Sequence, residues 1–382
     1  MSKDSEAHDG DSVACRITVD DLLNLLQVSD AQVHWGEARC LTCPTLHGGN
    51  VSGFAWTPEG DSLIAAIVDI DDEADARMAS GRDWDEYEEH PLFTRLYRVD
   101  PLVGSARRIS DGDFQVWEFA IAPDASKIAA LVSDAPFNWA WYAARLVLFD
   151  LPSGEVIPLY APDKQMTGLS WSPDNRSIAL ISSTWSDQGM TGGDVVIVDG
   201  TSGQATTITP GHPRSYLSAT WEDATRLLCA AIEDGESMIG YLSLDGGWGP
   251  RWREKASILR SGGQPFTVTR TENTTRIAAA IARPDAPAEV YVAEIRDDQF
   301  QWQRLTDANP TLRERSFPSI DTLHWESGDG TRIQGLLVRP IDVSEGPRPT
   351  IVLIHGGPTS LWSHEFHGTR SMGWVQLMAA EG

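Results

Sequence analysis

Residues 166–183 read MTGLSWSPDNRSIALISS, and variants of this phrase recur through most of the chain. A short apolar stretch leads to Trp171, a turn carries Pro173 and Asp174, and an apolar strand follows. Proline fixes the backbone φ angle in the turn, and the aspartate side chain can accept backbone hydrogen bonds. The phrase therefore predicts two antiparallel strands joined by a tight turn.

Four further copies of this phrase are present. They read VSGFAWTPEGDSLIAAIVD from Val51, VWEFAIAPDASKIAALVSD from Val116, YLSATWEDATRLLCAAIED from Tyr216 and FTVTRTENTTRIAAAIARP from Phe266. They follow one another at about fifty residues, with one longer step, and this is the length of a propeller blade. A second β-rich run follows each copy, so two hairpins per period predict a four-stranded blade.

The recurring tryptophans Trp56, Trp171 and Trp221 occupy the same place in their copies. A ligand-binding aromatic cage would not need this repetition, whereas an indole wedged between neighbouring blades would. We therefore interpret these residues as structural.

Composition limits the kinds of partner that the protein can bind. The 382 residues are 41% hydrophobic and 22% charged, as in globular proteins, and the length suggests two or three domains. The net charge of −25 would repel nucleic acids and anionic lipid surfaces. This charge argues against a nucleic-acid partner. No run of about 18 apolar residues is present, so we expect no membrane span.

The four cysteines do not form a disulfide framework. Cys40 and Cys43 make a lone CxxC without a second pair at metal spacing, so no metal site is expected. No G-x-G-x-x-G or P-loop follows a strand, so no nucleotide cofactor is implied. The polar, acidic N-terminus lacks the features of a signal peptide, and a cytoplasmic location is predicted.

The order of these features predicts three segments. Residues 1–30 contain a short helix in ITVDDLLNLLQVSD, which Thr18 would cap, and residues 31–312 form the propeller. VHWGEARCLTCPTL would supply part of a first, degenerate blade. Residues 313–382 form a different domain, because the repeat ends near LTDANPTL.

The last segment begins with a hairpin in IDTLHWESGDGTRIQGLLVRP and continues with PTIVLIHGGPTS. The apolar run Ile351–Ile354 predicts a fully buried parallel strand. His355, Gly356, Gly357 and Pro358 follow it, and SMGWVQLMAAEG predicts a helix. In α/β-hydrolases a glycine-rich loop after an early strand lets the backbone approach a reacting carbonyl.

The HGGP loop, the DGT hairpin and the preceding propeller resemble the prolyl oligopeptidase family of serine peptidases, and within it the acylaminoacyl peptidase type. The resemblance implies a mainly β chain: a seven-bladed β-propeller followed by the first strands of a truncated α/β-hydrolase domain. It implies that the Gly357 N–H would stabilise the oxyanion, while His355 and Gly356 would shape the loop. The substrate would be a short peptide or amide, cleaved through an acyl-enzyme.

The resemblance also implies that the Ser, Asp and His of the triad come after residue 382, because no G-x-S-x-G elbow occurs in the chain. The chain alone would then be inactive. Three explanations for the missing triad stay open: a truncated gene product, a proteolytic fragment, or one half of a two-chain enzyme. We expect the isolated chain to aggregate or to recruit a partner, either a second polypeptide with the rest of the domain or further copies of itself.

Several other residues are candidates for a site. Glu86 and Glu88, with Asp85 and Glu89, lie in a long acidic insertion and could hold a substrate's amino terminus, although a solvated loop is the plainer interpretation. His355, His364 and His367 lack the HExxH spacing of a zinc site. Ser360 and Ser363 do not lie in the strained turn that exposes a nucleophile.

A rival hypothesis treats the chain as a non-catalytic propeller scaffold that binds a protein or peptide and carries a hydrolase remnant. Propeller architecture alone does not separate the two hypotheses. A downstream reading frame with G-x-S-x-G, Asp and His would favour the peptidase.

Overall fold

The computed structural model describes residues 50–71, 73–81, 84, 86, 88–101, 105–110, 112, 114–184, 187–188, 192–258, 264–270, 274–296, 299–342, 346–356, 361–368 and 373–381. The predicted helix in the first 30 residues, the degenerate first blade and the CxxC pair lie outside this part of the chain.

Five four-stranded antiparallel sheets follow one another in the described residues, and each corresponds to one copy of the repeat. The first comprises β1 (Val51–Trp56), β2 (Leu63–Val68), β3 (Thr94–Val99) and β4 (Ala106–Arg108). The second comprises β5 (Gln115–Ile121), β6 (Lys127–Ser133), β7 (Arg145–Asp150) and β8 (Val156–Tyr160). The third comprises β9 (Gln165–Trp171), β10 (Ser177–Ser183), β11 (Asp194–Asp199) and β12 (Ala205–Thr207).

The remaining two sheets have the same order of strands. The fourth comprises β13 (Ser215–Trp221), β14 (Arg226–Glu233), β15 (Glu236–Ser243) and β16 (Trp248–Glu254). The fifth comprises β17 (Thr267–Arg270), β18 (Thr275–Arg283), β19 (Ala286–Arg296) and β20 (Gln299–Arg304). The predicted four-stranded blade is confirmed, and the part of the chain that the structure describes contains five blades; the total of seven stays a prediction.

The first strands of successive blades lie side by side, β5 next to β9 and β9 next to β13. They therefore form the inner ring of a propeller-like arrangement, with the other three strands of each blade placed progressively outward. The second strands are the most apolar, and residues such as Leu131, Leu180 and Ala230 are fully buried between blades. Burial on both faces explains their near-continuous apolar sequence.

Two of the three repeated tryptophans, Trp171 and Trp221, join neighbouring blades as the sequence predicted, whereas Trp56 in the first blade is 43% exposed. The Trp171 indole N–H donates to the Ala120 carbonyl at 3.1 Å, and the Trp221 indole N–H donates to the Ser170 carbonyl at 3.1 Å. In the fifth blade Arg270 takes the tryptophan's place, and its guanidinium pairs with Glu222 of the fourth blade at 3.0 Å. Each of these side chains reaches back to the blade before it.

The turn after Trp171 also agrees with its sequence. The Ser172 hydroxyl donates to the Asp174 carboxylate at 2.6 Å, and Asp174 accepts the Arg176 backbone N–H at 3.2 Å. These hydrogen bonds, the Ser172 hydroxyl first, lower the pKa of Asp174. Asn175 occupies the left-handed region at φ 60°, where Asn is tolerated.

Two short helices lie in connections between second and third strands: α1 (Ala74–Ala79) in the first blade and α2 (Asn138–Trp141) in the second. A 3-10 helix (Pro310–Glu314) follows the fifth blade, and the predicted domain boundary at residues 312–313 falls within it. No helix in the described segments is long and apolar enough to cross a bilayer.

The hairpin predicted after the propeller is β21 (Ser319–Glu326) paired with β22 (Arg332–Arg339). Asp329 in its turn accepts hydrogen bonds from the Ser327 hydroxyl and the Thr331 backbone N–H, which lower the pKa of its carboxyl to about 2. The predicted C-terminal helix is α3 (Gly373–Glu381).

The predicted buried strand at Ile351–Ile354 is wrong for this structure. These residues form no strand, and the side chains of Val352 and Ile354 are 78% and 90% exposed. A parallel strand needs neighbours for its backbone hydrogen bonds and two covering layers. In the described residues no strand lies beside this segment, so its apolar sequence alone does not make it one.

We predict that Trp221→Ala lowers the free energy of unfolding by about 3–5 kcal/mol, because it removes a large side chain from between two blades. Trp221→Phe keeps most of the packing and loses the indole donor, so it should cost about 1 kcal/mol. Urea denaturation followed by circular dichroism measures both. Wild-type stability in Trp221→Phe would contradict an inter-blade role for the indole N–H, and equal losses for the two variants would contradict the role of packing.

Candidate functional site

One face of the propeller carries the connections between the second and third strands of every blade. In the fourth blade this connection is Asp234 and Gly235, and in the fifth it is Pro284 and Asp285. The first three blades have much longer connections, which contain α1, α2 and Asp187. The two short connections leave room for another part of the chain to approach this face.

The hairpin β21–β22 and residues 361–368 occupy that room on the fourth blade. His324 Nε2 lies 3.1 Å from the Asp234 carboxylate, and the His364 backbone N–H points to the Gly235 carbonyl at 3.4 Å. His364 Nε2 also lies 2.8 Å from the Thr322 hydroxyl of β21. The C-terminal segment is therefore held on the face formed by the connections between second and third strands.

Helix α3 makes the corresponding contact with the fifth blade. The Gln376 side-chain amide donates to the Pro284 carbonyl at 2.8 Å. Phe366, Leu312 and Ala380 form a small apolar core there, and the Phe366 ring packs edge-on against Phe317 with centroids 5.4 Å apart. Hydrogen bonds and apolar packing together fix the helix to the blade.

The glycine-rich loop lies beside this docked segment. His355 and Gly356 are exposed, and the His355 ring lies 5.6 Å from the ring of Trp362, two residues before His364. An added Cβ at Gly356 would meet nothing within 4 Å. Gly357, the predicted oxyanion donor, lies outside the described residues, as does Ser360.

His364 and His367 lie in a buried polar cluster rather than at an open site. His364 is 0% exposed and His367 is 5% exposed, and burial lowers the pKa of both imidazoles. Lys255 lowers the pKa of His364 further, while Glu236 and Asp321 act in the opposite direction. Burial raises the pKa of Glu365, against a hydrogen bond from Ser257.

Ser363 is fully buried, and its hydroxyl has no hydrogen-bond partner among the described residues. A nucleophile has to meet substrate at an accessible surface, so this position does not suit one. The described segments contain no group of three or more His, Cys, Asp or Glu arranged to hold a metal ion.

The two acidic candidates of the long insertion are exposed on the same face of the propeller. Glu88 accepts a hydrogen bond from the Trp139 indole N–H at 2.6 Å, and it has a φ of 69°, which is uncommon for a residue other than glycine. Glu86 is exposed, and its carbonyl accepts the Glu89 backbone N–H at 3.1 Å. The structure thus brings Glu88 together with an aromatic side chain of the next blade.

One further carboxylate, Glu118 on the inner strand β5, has no recognisable signal in the sequence. It accepts hydrogen bonds from the Thr167 hydroxyl and, at 2.7 Å, from the backbone N–H of Gly168 on β9. Burial raises the pKa of Glu118 despite these donors. Gly168 has a φ of +72°, so the glycine permits the bulge that aims its N–H at Glu118. This contact links two inner strands.

Comparison with known proteins agrees with this architecture. No protein-family model matches the chain. The chain is 27% identical to the uncharacterized peptidase YuxL of Bacillus subtilis (strain 168) over 163 residues, which are 42% of this chain and 22% of that protein.

Two solved structures share the fold. A structure described as a dipeptidyl aminopeptidase IV from Bacteroides ovatus matches 86% of this chain and 50% of its own, with a TM-score of 0.51 and 15% identity. Puromycin hydrolase matches 77% of this chain and 43% of its own, with a TM-score of 0.50 and 17% identity. The chain therefore spans half the length of these proteins or less.

Five blades in the described residues, with a docked C-terminal segment, define a propeller-bearing protein. The relationship to a peptidase and the shared fold confirm the resemblance to the prolyl oligopeptidase family that the HGGP loop and the repeats indicated.

The buried histidines predict a pH-dependent attachment of residues 361–381. Their pKa values are lowered on docking, so the detached state binds more protons below the ordinary histidine pKa of 6.5. Docking should therefore weaken as the pH falls from 7.5 to 6. Hydrogen exchange of peptides from residues 361–381, corrected for intrinsic rates, measures this.

The raised pKa of Glu365 acts in the opposite direction, because its protonated form is favoured in the docked state. In Glu365→Gln the weakening on acidification should be steeper, and in the double variant His364→Gln, His367→Gln it should disappear. Protection that stays constant from pH 7.5 to 6 in Glu365→Gln would contradict this account.

Proposed function

We propose that this chain supplies the gating propeller and the oxyanion loop of a serine peptidase that hydrolyses short peptides or amides. The observation that carries the proposal is the attachment of the segment bearing HGGP to the face of the propeller where the connections between second and third strands lie. A propeller held against a reaction site limits access to small or unfolded substrates.

The proposed reaction is acyl transfer through a serine nucleophile. The Gly357 backbone N–H would donate to the tetrahedral oxyanion, while His355 and Gly356 would shape the loop. The exposure of His355 and Gly356, and the empty space around Gly356, are consistent with a loop open to substrate. Ser, Asp and His of the triad would come from sequence after residue 382 or from a second polypeptide, since the chain spans half of its structural neighbours or less.

The substrate class proposed here is coarse: a short peptide or amide of the aminopeptidase or acylaminoacyl-peptidase kind. Glu86 and Glu88 are proposed to hold a positive charge of the substrate, which the sequence suggested to be its amino terminus. Their exposure on the face that carries the C-terminal segment supports this role. A cytoplasmic location fits the sequence and stays a prediction.

The assembly of the complete hydrolase domain would also cover the apolar segment Ile351–Ile354. In the complete domain, neighbouring strands would pair with this segment and further layers would cover its exposed side chains. This accounts for the expectation that the isolated chain aggregates or recruits a partner.

We predict that Gly357→Pro in the complete enzyme lowers kcat by on the order of a hundredfold or more, because proline removes the backbone N–H that would bind the oxyanion. A matched control is Gly328→Pro in the β21–β22 turn. Gly328 is the second residue of a turn closed by the Gly330 N–H and the Ser327 carbonyl, a position that favours proline.

Both variants should keep the wild-type circular dichroism spectrum, and only Gly357→Pro should lose turnover of a short peptide substrate. Undiminished turnover in a folded Gly357→Pro enzyme would overturn the oxyanion role.

A further inference from the structure

Two exposed aromatic residues on the second blade each donate a hydrogen bond to a carboxylate of a neighbouring blade. The Trp139 indole binds Glu88 at 2.6 Å, and the Tyr142 hydroxyl binds Asp187. The four residues, here called the aromatic rim, come from the connections between second and third strands of the first three blades. They therefore lie on the face that also carries the C-terminal segment.

The aromatic rim packs on a buried tryptophan, and its own aromatic rings are exposed to solvent. Helix α2 is anchored by Trp141, which is 1% exposed and packs edge-on against Tyr142 with ring centroids 5.3 Å apart. The Phe137 and Trp139 rings are stacked at 6.5 Å. Trp139 and Tyr142 are nevertheless 54% and 44% exposed, so their rings are presented to solvent.

The same chain shows what an aromatic ring and a carboxylate bind when they lie close together. Arg283 lies 4.9 Å from the Tyr291 ring centroid and bonds Glu254 at 3.1 Å. Arg226 likewise covers the Tyr241 ring at 4.1 Å and bonds Asp223 at 3.0 Å. A guanidinium suits such sites because its plane stacks on the ring while its edge donates to the carboxylate.

Trp139 and Glu88 repeat this combination of an aromatic ring and a carboxylate. Within the described residues no Lys or Arg pairs with Glu88, and no guanidinium lies over the ring of Trp139 or Tyr142. Arg145, the basic residue at the start of β7, pairs instead with Asp134 at 2.7 Å. The indole N–H of Trp139 lies in the ring plane and holds the Glu88 carboxylate at the ring edge, so a guanidinium stacked on the ring face can extend past this edge to the carboxylate.

We propose that the aromatic rim binds the guanidinium of an arginine in a peptide substrate. The guanidinium would stack on Trp139 and donate to Glu88. The strongly negative net charge of −25 would favour the approach of such peptides. This substrate preference refines the proposed peptidase function and rests on it only for the cleavage step, because binding of the peptide is measurable without turnover.

The test uses the full chain and two blocked peptides, acetyl-Ala-Arg-Ala-amide and its citrulline counterpart, in isothermal titration calorimetry. Citrulline keeps the shape of arginine and lacks the charge. The arginine peptide should bind at least about tenfold more tightly, and its affinity should fall as salt is added. Equal affinities for the two peptides would overturn the proposal.

Variants locate the site. Glu88→Gln and Trp139→Leu should each weaken binding of the arginine peptide roughly three- to thirtyfold, as expected for loss of a charged hydrogen bond or a cation–π contact. Trp325→Leu is the matched control, since Trp325 is 50% exposed but lies on β21. Wild-type affinity in both rim variants would contradict the assignment.

A third peptide, Ala-Ala-Ala-amide with a free amino terminus, separates the two sources of positive charge. It should bind no more tightly than its acetylated form, and Glu88→Gln should not change its affinity. Tighter, Glu88-dependent binding of the free amino terminus would overturn the arginine proposal and assign Glu88 to the amino terminus. If the protein binds the arginine peptide but never forms an acyl-enzyme, the arginine site at the aromatic rim is supported and only the proposed peptidase function is contradicted.

Discussion

The indole hydrogen bond from one blade to the inner strand of the blade before it determines how the rest of this molecule is arranged. Trp171 and Trp221 make this bond to Ala120 and Ser170 with the same length, 3.1 Å. The repetition places successive blades in the same orientation, so equivalent connections lie on the same face. Glu118 reinforces the inner ring by joining β5 to β9 through the Gly168 N–H.

This common face is divided between two tasks. The fourth and fifth blades have two-residue connections there, Asp234–Gly235 and Pro284–Asp285, and the C-terminal segment packs closely against both. The first three blades have long connections that carry Glu88, Trp139, Tyr142 and Asp187 instead. Short connections hold the segment that bears HGGP, and long connections form a charged aromatic surface beside it.

Local and periodic features were predictable from sequence. The repeated Trp and turn residues predicted the blades, the DGT turn predicted β21–β22, and the apolar pattern near the end predicted α3. Long-range features were not. Arg270 replaces the tryptophan by an ion pair, and Glu118 meets Gly168 only when two blades adjoin. The strand predicted at Ile351–Ile354 fails because neighbouring strands, rather than apolar sequence alone, make a parallel strand.

The candidate site shows the same limit. The HGGP motif was visible in the sequence, whereas the docking of the C-terminal segment depends on contacts with residues far away in the chain, such as that of His364 with Gly235 and that of Gln376 with Pro284. The pairing of Glu88 with Trp139 depends likewise on two adjacent blades. Motif and composition identified the class of chemistry, and tertiary contacts decide which side chains meet.

The most direct test of the central claim is to label the protein in its native source with a fluorophosphonate probe, which reacts with activated serines, and to measure intact masses. A peptidase predicts that this chain is found within a longer labelled polypeptide or together with a labelled partner. A chain that runs alone and unlabelled would contradict the catalytic claim and would leave the propeller as a binding module.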